Sequence, residues 1–325
     1  MVQGGPAVQV GVIVLTVLGL WVGARFLVDA VVRLARRFGL SDLTIGLTIV
    51  AMGTSTPELS VSVDAALKGL GDIAAANVLG SNIYNLAFIL GVISLLRVIP
   101  VSESLIRRDG VVLLASTAAG VLVLLDLAVS RLEGAALVGL FVLYTAYLLR
   151  SEQGPSDGES PRGAETTTVT AEKPTFRGRD VGLLVGGLAL VLVSGDYMVL
   201  AASELARGVG ISEWVIGGTI VAAGTSTPEF AVSLVAIRRG SLGVSVGNVV
   251  GSNIYNVMGI LGLAALIGPL TVSAAALETL AWLVGVTVLM VAALWTGREL
   301  TRPEGALFAG SEAVRWVLGV LGLLG

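Results

Sequence analysis

The chain contains no cysteine and no histidine. Without cysteine there is no disulfide staple and no thiolate metal site. Without histidine it lacks the commonest transition-metal ligand and the side chain that titrates most readily near neutral pH. The serine–histidine pair and the histidine zinc motifs of intramembrane hydrolases are excluded with it. No repeated Gly-x-Gly-Asp supplies an aspartyl dyad either, so the chain is not expected to be an enzyme or to hold a resident cofactor. Charge is also scarce, at 13% of residues, where a soluble domain carries about 25%. What fills the 325 residues is apolar side chain, 55% of the total. Several apolar runs reach the roughly 20 residues needed to cross a hydrocarbon core. The chain reads as a polytopic membrane protein.

Ten apolar segments can be placed: 7–28, 43–67, 73–96, 109–128, 132–150, 179–205, 213–237, 243–267, 274–296 and 306–325. All are expected to be helices, because an open strand cannot satisfy its backbone in lipid. The first lacks a basic start and a small-residue cleavage site, so it reads as a retained helix. Residues 1–150 and 179–325 then form two five-helix units. Between them, residues 151–178 are rich in Gly, Pro, Ser, Thr and Glu and read as a disordered linker. Fifteen lysines and arginines, from Arg33 to Arg302, fall on one side of the ten segments; Lys68, Arg131 and Arg207 fall on the other. The richer side is expected to be cytoplasmic. That puts both termini outside and the linker in the cytoplasm of a cell-membrane protein.

A shift of 171 residues lays the chain on itself without a gap from about residue 24 to 91. Between Gly39 and Gly91, 29 of 53 positions are then identical. Five is an odd number of crossings, so the two units must enter the membrane in opposite senses. Such inverted repeats are a transporter signature, with binding sites at the bilayer midplane between the halves. The expected fold is therefore all-α, with ten transmembrane helices in two inverted five-helix repeats.

The most telling stretch is "GTSTPE", at residues 53–58 and again at 224–229. A carboxylate at mid-membrane costs on the order of 2.5–3.5 kcal/mol even on the lenient insertion scale. Pro57, read as a mid-helix proline, lacks an N–H and displaces the carbonyl of Gly53. The break should leave carbonyls free around Ala51 to Thr54, and a cation or water can satisfy them. Thr54 and Ser55 add hydroxyl oxygens, and Glu58 lies one turn beyond Thr54. Thr225, Ser226 and Glu229 repeat the set from the opposite direction. A second duplicated motif, "GNVxGSNIYN" in its second copy, spaces Ser81 and Asn85 four apart on one helical face, and likewise Ser252 and Asn256. Its glycines are explained as well by helix packing as by function. Oxygen donors of these types suit hard cations such as Na⁺ and Ca²⁺. One Ca²⁺ would neutralise both glutamates, or two or three Na⁺ could use the same oxygens. Competition for shared ligands is a physical basis for exchange. Outside the motifs, Asp64, Asp196 and Glu204 have no acidic counterpart in the other half, and Glu312 with Arg315 reads as a local ion pair.

At these motifs the chain resembles the cation/calcium exchanger superfamily, in particular prokaryotic sodium/calcium exchangers. The resemblance rests on the two repeats Gly53–Gly91 and Gly224–Gly262. It implies four central ion sites between the second, third, seventh and eighth helices. Calcium would be held mainly by Glu58 and Glu229, with backbone oxygens of Thr54 and Thr225. Sodium would use the same glutamates and groups at Ala51, Ser55, Ser81, Ala222, Ser226 and Ser252. The first and sixth helices are expected to slide across the other eight. Sodium/calcium exchangers commonly pair Asn at position 85 with Asp at position 256; here Asn85 and Asn256 are both amides, one charge fewer. Proton-coupled members usually carry Asn where Thr54 and Thr225 stand, so the threonines favour sodium as the coupling ion. The leading expectation is a Na⁺/Ca²⁺ antiporter working by alternating access. A cation/proton or potassium-dependent Ca²⁺ (or other divalent) antiporter is the alternative, and an ion channel is a further reading. The partners implied are the two ions and the lipid bilayer, with no nucleic acid and no protein partner evident.

Overall fold

The structure is a computed structural model, and it describes residues 5–151, 178–208 and 222–321. Of the expected linker, Ser151 ends one helix and Gly178 begins the next, while residues 152–177 and the start of the expected seventh segment lie outside the described residues. The described chain folds into ten helices. These are α1 (Pro6–Phe38), α2 (residues 42–67), α3 (Gly71–Leu96), α4 (residues 105–124) and α5 (Arg131–Ser151), then α6 (Gly178–Gly208), α7 (described over residues 222–238), α8 (Leu242–Ile267), α9 (Ala275–Gly297) and α10 (Arg302–Val320). Six of them are long and apolar enough to cross a membrane by themselves. Among the others, α2 and α7 are each interrupted at a serine, Ser55 and Ser226.

Boundaries move where charge was taken for the end of a helix. α1 runs on through Arg33 to Phe38, and at about 1.5 Å per residue its 33 residues exceed the ~30 Å hydrocarbon core. α4 begins at Leu105, four residues before its expected start. Its Asp109 is fully buried, 2.8 Å from Arg108, and accepts a hydrogen bond from the Tyr144 hydroxyl of α5 at 3.0 Å. A paired charge can enter the span where a lone one cannot. α10 starts at Arg302 because Thr301 and Glu304 cap it reciprocally: the Thr301 N–H donates to Glu304 at 2.8 Å and the Glu304 N–H to the Thr301 hydroxyl at 3.5 Å.

Four two-residue strands reveal the topology. β1 (Ile99–Pro100) follows α3, β2 (Ala128–Val129) follows α4, β3 (Leu270–Thr271) follows α8 and β4 (Glu299–Leu300) follows α9. β1 pairs antiparallel with β4, and β2 with β3. α4 therefore runs from the β1·β4 pair to the β2·β3 pair, while its repeat mate α9 runs from β2·β3 to β1·β4. The two halves are inverted. The register obeys the same relation: Ile99 opposes Leu300 and Val129 opposes Leu270, and a shift of 171 carries one pair onto the other. Helix crossings follow it too. A Cβ on Gly305 would lie 2.6 Å from the Gly91 carbonyl oxygen, and one on Gly134 would lie 2.6 Å from that of Gly262.

The centre of the protein is α3 and α8, with 78% and 83% of their apolar spans buried, against 28% for α1 and 22% for α6. Valines, isoleucines and leucines from Val78 to Ile93 and from Val249 to Leu261 fill the main core. α1 and α6 lie together at the periphery. They cross where Gly23 meets Gly187, with backbone so close that a Cβ on either would stand 2.9 Å from the other's carbonyl oxygen. Their outward faces carry exposed Val14, Leu15, Leu18, Val185 and Val193, as lipid contact requires.

Candidate ion-binding site

Ser55 has φ −80° and ψ 17°, and Ser226 has φ −88° and ψ 8°, so each ends one helical stretch and precedes the next. Pro57 and Pro228 sit in the first turn of the new helix, where a missing N–H breaks no bond. The break expected from the sequence is present, but the proline stands in the first turn of the restarted helix and not in mid-helix. The carbonyls before it are also less free than expected. Gly53 O accepts the Thr56 hydroxyl at 2.7 Å, and Ala51 O accepts the Ser55 N–H at 3.0 Å and the Ser252 hydroxyl at 3.5 Å. One consequence favours an acid: Glu58 and Glu229 lie in the first turn of a helix, facing its positive dipole end.

The two breaks reach across to each other. Ser55 Oγ donates to Glu229 Oε1 at 2.8 Å, and Ser226 Oγ donates to Glu58 Oε1 at 3.0 Å. Ser81 on α3 and Ser252 on α8 add longer contacts, 3.4 Å to Glu58 Oε1 and 3.5 Å to Glu229 Oε1. In each carboxylate one oxygen is held by serines. The other, Oε2, is buried without a hydrogen-bond partner among the described residues. Thr54, Ser55, Glu58, Ser81, Asn85, Ser226, Glu229, Ser252 and Asn256 are all fully buried, as is Ala51, and Thr225 is 8% exposed. Glu58, Glu229, Ser55, Ser226, Ser81 and Ser252 meet through these contacts where α2, α3, α7 and α8 come together, and Asn85 and Asn256 follow one helical turn after Ser81 and Ser252. The backbone of Ala222 opens the Ala222–Thr225 turn of α7; its side chain lies outside the description.

Five acids are buried among the described residues: Glu58, Asp109, Asp180, Glu229 and Glu312. Asp109 pairs with Arg108, Asp180 with Arg33 at 2.7 Å, and Glu312 with Arg315 at 2.6 Å, the last as the sequence implied. Glu58 and Glu229 alone have no basic partner among the described residues. Asp64 is exposed and bound to Lys68, and Asp196 and Glu204 are exposed. The site thus holds two carboxylates without a basic partner among the described residues. Their oxygens Glu58 Oε2 and Glu229 Oε2 and, one turn along α3 and α8, Asn85 Oδ1 and Asn256 Oδ1 are buried without a hydrogen-bond partner among the described residues. Oxygen-only donors with negative charge fit a hard cation carried as cargo.

A supporting layer was not singled out in the sequence. Asn248 Nδ2 donates to the Glu229 carbonyl at 3.3 Å and to Ser233 Oγ at 3.0 Å, and its Oδ1 accepts from Thr54 Oγ1 at 3.0 Å. Asn77 does the same in the other half, donating to the Glu58 carbonyl at 3.0 Å and to Ser62 Oγ at 2.9 Å. These amides pin the restarted turns that carry the glutamates. The signal was present: Asn77 and Asn248, and Ser62 and Ser233, are identical at the 171-residue shift.

A sequence model described as "Sodium/calcium exchanger protein" matches residues 8–150 and 180–314. The chain belongs to the sodium/calcium exchanger family. It is 38% identical over 303 residues to the putative antiporter CaxA of Alkalimonas amylolytica, covering 91% of this chain and 93% of that one. Over 317 residues it is 29% identical to the sodium/calcium exchanger MaX1 of Methanosarcina acetivorans, covering 88% and 91%. Its fold is similar to that of the sodium-calcium exchanger NCX_Mj, with a TM-score of 0.80, 30% identity, and 94% and 97% of the two chains covered. The exchanger is thus a multi-pass membrane antiporter of the cation/calcium class, with ten helices in two inverted repeats.

Proposed function

We propose that the protein moves Ca²⁺ across the membrane in exchange for Na⁺, by alternating access to shared sites between the repeats. The observation that carries this reading is the pair Glu58 and Glu229. They are fully buried, clasped across the repeats by Ser226 and Ser55, and uncompensated by any basic side chain among the described residues. One Ca²⁺ between them cancels both charges. Sodium ions at the same oxygens do so in turn, and the two cargoes exclude one another because together they would leave a large positive excess in a low-dielectric region. Ser55, Ser81, Ser226, Ser252, Asn85 and Asn256, with backbone oxygens at Ala51, Thr54, Ala222 and Thr225, complete the ligand set in this reading. No covalent step and no resident cofactor is needed. Proteoliposomes with a Na⁺ gradient are expected to drive ⁴⁵Ca²⁺ against its own gradient. Calcium flux that follows a pH or K⁺ gradient with Na⁺ absent would replace sodium as the coupling ion, and no cation-coupled Ca²⁺ flux would overturn the reading.

The proposed orientation has both termini outside and residues 151–178 in the cytoplasm, and it rests on the fifteen-to-three distribution of basic residues. Because the chain has no cysteine, a Ser156→Cys variant carries a unique thiol. In intact cells it should resist a membrane-impermeant maleimide and react after permeabilisation. Labelling in intact cells would invert the assignment.

A further inference from the structure

Where α3 meets α8, four asparagines are buried together: Asn82 and Asn85 on α3, and Asn253 and Asn256 on α8. Each is at most 1% exposed. Asn82 and Asn253 are repeat mates, as are Asn85 and Asn256. Symmetry would give each half the same hydrogen bonds, but the structure does not. Asn82 Nδ2 donates to the Asn253 carbonyl at 3.1 Å, and Asn256 Nδ2 donates to Asn82 Oδ1 at 3.0 Å. The symmetric images would be Asn253 Nδ2 to the Asn82 carbonyl and Asn85 Nδ2 to Asn253 Oδ1. Neither is made. Both amide atoms of Asn253 and both of Asn85 are buried without a partner among the described residues.

We infer that Asn82 and Asn253 are positioning residues that orient the ion-site asparagines alternately, one in each access state. In the arrangement seen, Asn82 holds the amide nitrogen of Asn256, which leaves the Asn256 oxygen for a cation. In the mirror arrangement Asn253 holds Asn85 in the same way. Inverted repeats exchange the roles of their halves when access changes sides, so a hydrogen-bond set made in one half and open in the other is what a two-state element requires. The open set is not neutral. A buried amide left unpaired is destabilising, so each arrangement carries a strain that its mirror relieves. The inference rests on the alternating-access reading above, and its test is a measure of conformation that does not depend on which ion is carried.

Ala24 on α1 and Gly195 on α6 are separated by 171 residues and both are buried; a Cβ on Gly195 would lie 3.5 Å from the ring of Pro228. In this cysteine-free chain, Ala24→Cys and Gly195→Cys give a matched pair of single-thiol reporters, and the ratio of their alkylation rates in proteoliposomes reads the access state. Asn82→Leu removes both bonds made here and leaves the mirror set possible. Asn253→Leu removes the mirror set and leaves the present one, which uses only the Asn253 backbone. The two substitutions should shift the ratio in opposite directions, each by roughly tenfold or more, since two hydrogen bonds are at stake. The double variant should return toward the parent. Shifts in the same direction, or no shift, would overturn the inference, because a merely structural role predicts one or the other. If the leucine variants do not fold, Asn82→Ser and Asn253→Ser are read by the same ratio. A parent protein without Na⁺-dependent Ca²⁺ flux but with opposed shifts would count against the ion assignment and not against the amide switch.

Discussion

Replacing Glu58 or Glu229 by glutamine is expected to abolish calcium exchange while leaving the protein folded. Glutamine keeps the side chain's length and still offers an oxygen to Ser226 or Ser55, so the clasp between the repeats survives. It removes one of the two charges that a divalent ion must find at the site. A hydrogen bond to a charged group is worth about 1.5–3 kcal/mol, and exclusion of water puts this site at or above the top of that range, which corresponds to a flux loss of ~100-fold or more. Stability should move the other way. Without cargo, Glu58 and Glu229 are two buried acids with no basic partner among the described residues, and neutralising one relieves both desolvation and their mutual repulsion. The variant should therefore melt no lower than the parent in the absence of Ca²⁺, and lose the rise in Tm that Ca²⁺ confers on the parent by mass action. Thermal melts with and without Ca²⁺, beside ⁴⁵Ca²⁺ uptake, check both parts. A glutamine variant that still exchanges Ca²⁺ at a tenth of the parent rate would remove the carboxylate pair from the mechanism.

Much of this was legible because the chain states its design twice. The 171-residue shift carries strand pairs, helix crossings and caps as well as motifs: the capping pairs Ser130–Glu133 and Thr301–Glu304 are repeat mates. Inversion followed from counting five crossings, and the strand register of β1 with β4 and β2 with β3 bears it out. The residues that gather at the site were readable for the same reason, since a costly polar group repeated at mid-membrane has few structural excuses.

What the sequence hid was of two kinds. Helix ends were misjudged where a charge finds a partner far away in sequence. α4 runs back past Asp109, the first residue expected in it, to Leu105, with the Asp109 carboxylate met by Tyr144 of α5, and α1 extends through Arg33, which binds Asp180 of α6 at 2.7 Å. Hydropathy cannot foresee such a partner. The sequence left a kink or a break open at Pro57, because a proline reads alike inside a helix and at its first turn; the backbone angles of Ser55 decide for a break with a restart. That distinction matters for the chemistry. A restart gives Glu58 a helix N-terminus to face, and the carbonyls of the broken turn are shared with the hydroxyls of Thr56 and Ser252 instead of being left wholly open.

Gly251→Ala is expected to damage both fold and transport, although a single methyl group is added far from either carboxylate in sequence. Alanine ordinarily improves a helix interior by about 0.5–1 kcal/mol over glycine. At Gly251 the new Cβ would stand 2.5 Å from the Leu47 carbonyl oxygen and 2.6 Å from the Leu47 Cα. Those are backbone atoms of the widened Gly46–Val50 turn of α2 and cannot rotate away. α2 and α8 must separate, and overpacking of that kind costs about 1–3 kcal/mol. The next residue is Ser252, whose hydroxyl contacts Ala51 O, Ser55 Oγ and Glu229 Oε1 at 3.5, 3.0 and 3.5 Å, so the same displacement loosens the cross-repeat clasp. Gly139→Ala is the control: it lies on an exposed face of α5 with nothing within 4 Å of the added carbon, and it should leave Tm and flux unchanged or slightly raised. Melting curves and ⁴⁵Ca²⁺ uptake of the two variants decide the matter. If Gly251→Ala is as stable and active as Gly139→Ala, the close approach of α2 to α8 does not hold the site together.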